Sequence, residues 1–288
     1  MSTTPVQSFG HLVGSEEPPF GTFEPRGLQQ LVRAFAQTAP FHRGKLRRPM
    51  ANLIRRMALD GIVDVHFRGA AFRLRPEVNL IEDALLVYPG YNRREIDFLI
   101  EGTPQGGVFI DLGSNVGLYT LALAAHIGPD GTALAIDANP DMAAALHFNT
   151  VASGFKNVRI VNVAVGERVS RADLRGGRND LAIVHVTENP LGNIDILPLA
   201  DIVHKAQLTR VDTLKADIEG FEDQALIPYL NSVSDALKPK RISIEHLGRA
   251  EWKSDLFPVF KDHGYRMVGV TRGNTLFLRD QDLSAGQN

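Results

Sequence analysis

The sequence contains no cysteine among its 288 residues. This absence excludes disulfides, thiolate nucleophiles and Cys-ligated zinc, and it favours a reducing compartment, so we expect a cytoplasmic protein. The first residues lack a basic start followed by an apolar run, which predicts no secretory signal. No apolar run approaches the roughly 20 residues that span a bilayer. Peripheral contact with a membrane stays open.

Neither sign of charge dominates, since 31 Lys and Arg stand against 33 Asp and Glu and the formal net charge is −2. The chain as a whole is therefore not attracted to nucleic acid or to an anionic membrane. Hydrophobic residues make up 44% and charged residues 22%, which is typical of a globular protein with a buried core. The length suits one large domain, or a main domain with an extension.

The N-terminal third predicts a tail and a small extension. Residues 1–25 are rich in Pro, Gly, Ser and Glu, which predicts a poorly ordered tail. We expect residues 26–104 to form helices and a hairpin, because apolar positions in 26–56 are spaced as on two amphipathic helices and 62–75 alternates apolar and polar residues around a glycine. The segment 91–102 reads as a further helix.

The two predicted helices of residues 26–56 carry no acid. Their eight basic residues are Arg26, Arg33, Arg43, Lys45, Arg47, Arg48, Arg55 and Arg56. One interpretation is that these side chains form solvated basic faces. The other is a docking surface for an anionic substrate, a lipid headgroup or a nucleic acid, although the segment matches no nucleic-acid module.

Residues 105–283 alternate apolar runs with helical patterns and end in a predicted hairpin at 265–280. Continuously apolar strands separated by helices predict a parallel sheet that is covered on both faces. The fold class that we predict is α/β, with a mostly parallel seven-stranded sheet and a C-terminal antiparallel hairpin. The five strands before the hairpin are expected at 108–113, 132–138, 158–166, 213–220 and 241–247.

The stretch "IDLGSNVGLYT" reads as strand, turn and helix. Gly113 and Gly117 permit a tight turn beside a ligand, and the helix N-terminus beyond them offers free N–H groups. A dinucleotide fingerprint would read G-x-G-x-x-G, whereas Asn115 stands at the second glycine position. Asp111 at the strand end suits a cationic ligand better than a pyrophosphate.

The next strand ends in Asp137, 26 residues after Asp111. An acid at this position can accept hydrogen bonds from ribose hydroxyls. Asn162, near the end of the third strand, serves either to recognise adenine or to form a turn. A nucleoside with a positive charge and no phosphate describes S-adenosylmethionine better than NAD. The predicted cofactor-binding residues are Asp111, Gly113, Ser114, Asn115, Gly117, Asp137, Ala138, Asn162 and Ala164.

The segment "LKADIEGFE" crowds carboxylates at the end of the fourth predicted strand. In a strand that reaches residue 220, Lys215, Asp217 and Glu219 project to one side. Crowding raises the pKa of one carboxyl and makes it a better base, so Asp217 and Glu219 are candidate catalytic residues. Lys215 is an alternative counter-ion for Asp217. Glu222 and Asp223 fall in the first turn of a helix, where the dipole favours negative charge.

Glu245 and His246 end the fifth predicted strand and complete the set of candidate catalytic residues. His246 is either a base near neutral pH or a hydrogen-bonded structural residue. We expect the irregular stretch 168–204 to form part of the acceptor pocket or a lid. A divalent cation is possible but not favoured, and its ligands would be Asp217, Glu219, Glu245 and His246.

Taken together, these motifs resemble the FkbM family of S-adenosylmethionine-dependent methyltransferases. The similarity runs from about Phe109 to His246. "DLGSNVGLYT" resembles the family's Asp-x-Gly-x-Asn-x-Gly opening, and "DANPDMAAALHFN" its Glu-Pro-Asn-Pro stretch, with Asp137 in place of Glu. "NVAVGE" resembles its Ala-x-Gly segment, "ISIEHL" holds the Glu of its next strand, and "LKADIEGFEDQAL" is the most specific match, to Lys-x-Asp-x-Glu-Gly-x-Glu. The chain departs from the family at Leu199-Ala200-Asp201, where Leu-Asp is common.

The resemblance implies a Rossmann-like methyltransferase fold and methyl transfer to a hydroxyl of a sugar, glycan, glycolipid or polyketide-like metabolite. The expected partner is therefore a small-molecule or glycan acceptor, and the oligomeric state is open. One alternative is a binding or scaffold protein that keeps the fold without activity. Another is a nucleic-acid methyltransferase that uses the basic segment 26–56. An amine methyltransferase is less favoured, because "ADIEGF" stands where Asn/Asp-Pro-Pro-aromatic is expected.

Overall fold

The computed structural model describes residues 17–42, 44–75, 80–176 and 184–280. Its N-terminal part consists of helices and one hairpin: α1 (Gly27–Ala36), α2 (Arg47–Arg56), β1 (Val63–Phe67), β2 (Ala70–Leu74), α3 (Leu80–Val87) and α4 (Arg93–Gly102). The next part alternates strands and helices: β3 (Val108–Leu112), α5 (Leu118–Ile127), β4 (Thr132–Ile136), α6 (Pro140–Ala152), β5 (Val158–Val161), β6 (Ala164–Val165), β7 (Ser170–Gly176), β8 (Val184–Glu188) and β9 (Ile194–Leu197). The chain continues with α7 (Leu199–Lys205), β10 (Thr213–Ala216), α8 (Glu222–Ser232), β11 (Arg241–Glu245), α9 (Leu256–Asp262), β12 (Tyr265–Val270) and β13 (Asn274–Arg279).

Seven strands form one sheet in the order β12-β13-β11-β10-β3-β4-β5. All neighbouring pairs between β11 and β5 are parallel, and β13 runs antiparallel to both of its neighbours. This arrangement confirms the predicted α/β, Rossmann-like sheet with its C-terminal hairpin. The carboxyl ends of β3, β4, β5, β10 and β11 therefore meet at one edge of the sheet.

Both faces of the sheet are covered, as the apolar strands predict. Within β3, Phe109 packs with the N-terminal extension, α4, α5 and α6, whereas its neighbour Ile110 packs with α7, α8 and α9. Successive strand residues point to opposite faces, so each strand contributes to both cores. The extension and the sheet thus share one continuous core. None of the described helices is long and apolar enough to cross a bilayer.

The predicted strand 158–166 is wrong as a single element. It divides into β5, in the large sheet, and β6, which pairs with β9 in a second sheet of order β6-β9-β7-β8. The stretch 168–204, which looked irregular, contributes β7, β8, β9 and α7. A small core of Ala164, Ala172, Ile194 and Ile196 holds the second sheet. The sequence feature that indicates β9 is a short period-two alternation, in which Asp195 is exposed between the buried Ile194 and Ile196.

The predicted strand 213–220 ends four residues early, at Ala216. The next residues turn, and Glu219 and Gly220 have left-handed φ values of 53° and 91°. The period-two argument that put Lys215, Asp217 and Glu219 on one side is therefore wrong, because it holds only inside a strand. Lys215 lies in the strand, and both acids lie in the turn beyond it.

A buried ion pair ties the start of the described chain to the hairpin. The Arg73 guanidinium donates to both carboxylate oxygens of Asp64, at 2.9 and 3.0 Å, and to the carbonyl of Pro18 at 2.6 Å. It also lies over the ring of Phe148 in α6, 4.2 Å from the centroid. Composition predicts that residues 17–25 belong to a poorly ordered tail. In the structure, Pro18 in this range is hydrogen-bonded to Arg73 of the buried pair.

We predict that Arg73→Met lowers the free energy of unfolding by about 3–5 kcal/mol, because it leaves the Asp64 carboxylate buried without its partner. Arg93→Met is the matched control, since the exposed Arg93 pairs with Asp97 at the surface. Such surface pairs contribute about 0–1 kcal/mol. Urea unfolding followed by circular dichroism measures both variants, and equal losses would contradict this role of the buried pair.

Candidate active site

A cavity of about 530 Å³ lies at the carboxyl ends of the parallel strands. One end is lined by residues at or after the ends of β3, β4 and β5: Gly113, Asn115, Ile136, Asp137, Ala138, Val163, Ala164 and Val165. The other end is lined by residues that follow β10 and β11 and by the β12–β13 turn: Asp217, Ile218, Glu219, Phe221, Glu245, Leu247, Arg272, Gly273 and Asn274. Because neighbouring strands lie about 4.8 Å apart, β4 and β11 are separated by roughly 14 Å. The cavity can therefore hold two ligands side by side.

The N-terminal extension forms another wall of the cavity. Its lining residues are Arg47, Ile81, Tyr91, Asn92 and Glu95. The Asn92 side-chain amide donates to the hydroxyl of Tyr119 in α5, at 2.8 Å, which connects the extension to the sheet. The sequence analysis missed these residues, because nothing in their spacing shows which helix packs over the strand ends.

Protein atoms, rather than a ligand, require the two glycines of the first turn. Gly113 and Gly117 have left-handed φ values of 76° and 99°. A Cβ atom on Gly113 would lie 1.8 Å from the carbonyl oxygen of Asp217, and one on Gly117 would lie 2.4 Å from Leu146. Asn115 also has a left-handed φ, 51°, which asparagine tolerates better than most residues. Gly113 thus allows the ends of β3 and β10 to pack closely.

Asp137 faces the cavity with its carboxylate held by backbone groups. Its oxygens accept the N–H groups of Asn115 at 2.7 Å and of Asn139 at 2.8 Å. Burial raises the pKa of Asp137 to about 6, although both hydrogen bonds act to lower the pKa. The Asn162 amide donates to the Asp137 carbonyl at 2.8 Å, so it holds this loop in place. That contact favours the turn-forming alternative for Asn162.

Asp111 and Ser114 lie below the surface of the cavity. Both are buried, and neither lines the cavity. Asp111 accepts a hydrogen bond from the Thr120 hydroxyl at 2.6 Å, while its other oxygen has no partner among the described residues. Burial raises the pKa of Asp111 to about 6, against the lowering effects of Thr120 and Lys215.

The ammonium group of Lys215 is buried near the carboxyl end of β10, a central strand of the sheet. The residue is only 1% exposed and pairs in register with Asp111 on β3. Its Nζ donates to the Asp217 carboxylate at 3.0 Å and to the Ala216 carbonyl at 3.1 Å, and it lies 5.4 Å from the centre of the Tyr119 ring. A buried charge must be paired, and Lys215 is therefore a counter-ion within the protein for the crowded acids.

The turn between β10 and α8, residues 217–221, is named the acidic turn. Glu222 and Asp223 stabilise this turn and do not line the cavity. Glu222 accepts the Ile218 N–H at 2.8 Å and the Trp252 indole N–H at 2.7 Å. Asp223 accepts the N–H of Ser254 at 2.9 Å. These contacts agree with the structural role expected for both residues. Asp217 and Glu219, in contrast, line the cavity.

Glu245 lines the cavity, whereas His246 does not. The two Glu245 oxygens accept the N–H groups of Leu247 at 2.8 Å and Gly248 at 3.0 Å, and burial is the main cause that raises the pKa of Glu245. His246 Nδ1 lies 3.0 Å from the hydroxyl oxygen of Thr275. In the described part of the chain, no three His, Asp or Glu side chains are placed to hold a metal ion, and this includes Asp217, Glu219, Glu245 and His246.

We predict that Gly113→Ala destabilises the protein more than Gly154→Ala does. Both glycines have left-handed φ, so alanine costs about 1–2 kcal/mol at either position. A Cβ atom on Gly154 meets nothing within 4 Å, whereas one on Gly113 collides with Asp217. Overpacking of this kind should cost about 1–3 kcal/mol more, measured as the free energy of urea unfolding. Equal losses would contradict the close packing of β3 against β10.

The chain is similar to methyltransferases in sequence pattern and in fold. The family model for the methyltransferase FkbM domain matches residues 111–267, more than half of the chain. The search of curated proteins found no match to this chain. Similar solved structures include a SAM-dependent methyltransferase from Aquifex aeolicus (16% identity, 65% of this chain and 85% of that chain, TM-score 0.38) and a SAM-dependent O-methyltransferase from Thermotoga maritima (15%, 67%, 66% and 0.41). A third is TYW2 from M. jannaschii in complex with AdoMet (13%, 76%, 86% and 0.39).

With TM-scores this low, the solved structures carry no argument about the reaction. The family match covers the first glycine turn, the acidic turn after β10 and the end of β11. It also covers the ends of β4 and β5, so most of the residues that line the cavity lie within the match. The chain belongs to the FkbM family of S-adenosylmethionine-dependent methyltransferases.

Proposed function

We propose that the protein methylates a hydroxyl group of a sugar, glycan, glycolipid or polyketide-like metabolite. The observation that carries this proposal is the row of carboxylates along one cavity at the strand ends: Asp137, Asp217, Glu219 and Glu245. When bound, S-adenosylmethionine supplies a methyl group that its sulfonium already activates. A hydroxyl is a poor nucleophile, so the protein must still align it and accept its proton. A cytoplasmic location is part of the proposal and rests on the absence of cysteine.

The β3–β5 end of the cavity fits the chemistry of this donor. Asp137 presents a carboxylate that suits ribose hydroxyls. Ala138, Val163 and Ala164 line the same end and offer apolar contacts to adenine. Asp217 lies between this end and the β11 end, where negative charge suits a sulfonium. The cationic lining residues Arg47 and Arg272 do not belong to the β3–β5 end. They belong to α2 and to the β12–β13 turn.

Glu219 is the proposed base. Glu219 lines the cavity from a left-handed backbone conformation, which is unfavourable for a residue with a side chain. Such conformations cluster at functional sites, where the surrounding structure holds them in place. We therefore assign the acceptor's proton to Glu219, with Glu245 as the alternative.

A labelled-methyl transfer screen tests the reaction class. Purified full-length protein is incubated with labelled S-adenosylmethionine and with sugars, glycolipids or polyketide alcohols, with and without EDTA. We expect a methyl ether, formed equally in EDTA because the sulfonium already activates the methyl group and the protein has only to align the acceptor and accept its proton. Transfer to an amine or a nucleic acid would contradict the proposal. Donor binding without transfer to any acceptor would favour the scaffold alternative.

Glu219→Gln should lower kcat by about 10²–10⁴-fold, because the amide cannot accept the proton. The KM for S-adenosylmethionine should change by less than about threefold, since Glu219 acts on the acceptor. Glu245→Gln makes the same chemical change in the same cavity and is the matched control, with an expected loss below about tenfold. Steady-state kinetics decides, and a larger loss in Glu245→Gln would move the base to that residue.

A further inference from the structure

Helix α1 turns an apolar stripe towards solvent. Leu28, Leu31 and Phe35 follow the spacing of one helix face and are 67%, 68% and 55% exposed. The adjoining side of the helix packs on the protein, where Ala36 is buried and Val32 contacts the core. A surface helix ordinarily buries its apolar stripe. The exposed apolar stripe of α1 therefore does not contribute to the hydrophobic core of the fold.

Helix α2 repeats this arrangement. Leu53 and Met57 are exposed on one side, while Ala51 and Ile54 are buried on the other. The two helices are in contact, and the Gln29 side-chain amide in α1 donates to a backbone carbonyl of α2 at 3.2 Å. Half of the large exposed apolar side chains in the described chain lie between residues 28 and 59. We name the exposed side chains of residues 26–59 the α1–α2 surface.

The segment that carries these apolar side chains is basic. Residues 26–59 contain no acid. Two arginines of the segment point inward, since Arg33 donates to the Leu86 carbonyl and Arg55 pairs with Asp83. The cations that the α1–α2 surface presents to solvent are Arg26, Lys45, Arg48 and Arg56. The surface is thus basic, although the whole chain has a net charge of −2.

The apolar component distinguishes between the anionic partners that such a surface could bind. Nucleic acids are held mainly by basic and polar contacts to phosphate and by aromatic stacking, which do not use a row of exposed leucines along a helix. Interfacial helices combine Lys and Arg with Leu and Phe that enter the headgroup region. We propose that the α1–α2 surface docks the protein on an anionic lipid bilayer.

The proposed docking surface adjoins the cavity. Arg47, the first residue of α2, lines the cavity and directly follows the exposed Leu46. Ile81 of α3, a helix in contact with α2, lines it as well. Docking would hold this wall of the cavity at the membrane interface, where a lipid-linked acceptor can reach it. That consequence rests on the proposed methyl transfer, whereas the docking itself does not.

Co-sedimentation of the full-length protein with lipid vesicles tests the docking. We expect it to bind vesicles with about one phosphatidylglycerol in three lipids at least about tenfold more tightly than pure phosphatidylcholine, because several cations face the surface. Rising salt should weaken the binding, since it screens this attraction. The assay needs neither donor nor acceptor, so its failure is distinct from failure of the proposed methyl transfer. Equal binding to both vesicles, or none to either, would overturn the proposal.

Variants then separate the apolar and basic contributions. Leu28→Gln, Leu31→Gln and Phe35→Gln combined should lower vesicle affinity at least about tenfold. The matched control combines Val151→Gln, Val169→Gln and Leu191→Gln, which are also exposed but lie elsewhere. It should retain the affinity within about twofold, with urea unfolding as the folding check on both. Arg48→Gln or Arg56→Gln should each cost about fivefold.

A nucleic acid is the competing partner. A single-stranded RNA and a duplex DNA are titrated against the wild type and the Leu28, Leu31 and Phe35 variant. Weaker binding to both than to anionic vesicles supports membrane docking. Tighter binding to either, unchanged in the variant, would overturn it in favour of a nucleic-acid surface. Equal loss of vesicle affinity in the two triple variants would overturn it as well.

Discussion

The buried ammonium of Lys215 is the interaction on which the arrangement of the site depends. A lysine that is 1% exposed is stable only with charged and polar partners, and Asp217 and the Ala216 carbonyl supply them at 3.0 and 3.1 Å. Asp217 follows directly after β10, and its carboxylate reaches the ammonium from the turn. Its carbonyl then lies against Gly113, where a Cβ atom would collide with it. The end of β10, the first glycine turn and the acidic turn are therefore one packed unit.

Within this unit, the acids of residues 217–222 have different contacts. Asp217 neutralises Lys215, and Glu222 bonds the turn to Trp252. Glu219 lines the cavity in a left-handed backbone conformation, which the surrounding structure holds in place. The extension adds a further wall, and Arg47 at the start of α2 belongs to that wall.

The pattern of strands and helices was predictable because most residues of the parallel strands are apolar and helical patterns separate these strands. The positions of Gly113 and Asp137 at strand ends followed from the same pattern. The end of β10 was not predictable, since the Asp217 carbonyl packs against Gly113 of the first glycine turn, which is distant in sequence. The left-handed φ of Glu219 was hidden too, because only glycine announces such a conformation in a sequence. The wall from the extension depends on packing across the whole chain.

The central claim is that S-adenosylmethionine occupies the cavity at the ends of β3 and β4, with Asp137 on its ribose. Isothermal titration calorimetry of the wild type, of Asp137→Asn and of the exposed control Asp141→Asn tests it most directly. We expect saturable binding to the wild type and to Asp141→Asn, and binding at least about tenfold weaker in Asp137→Asn, because a hydrogen bond to a charged group is lost. No heat of binding at millimolar donor, or equal affinity in Asp137→Asn, would contradict it.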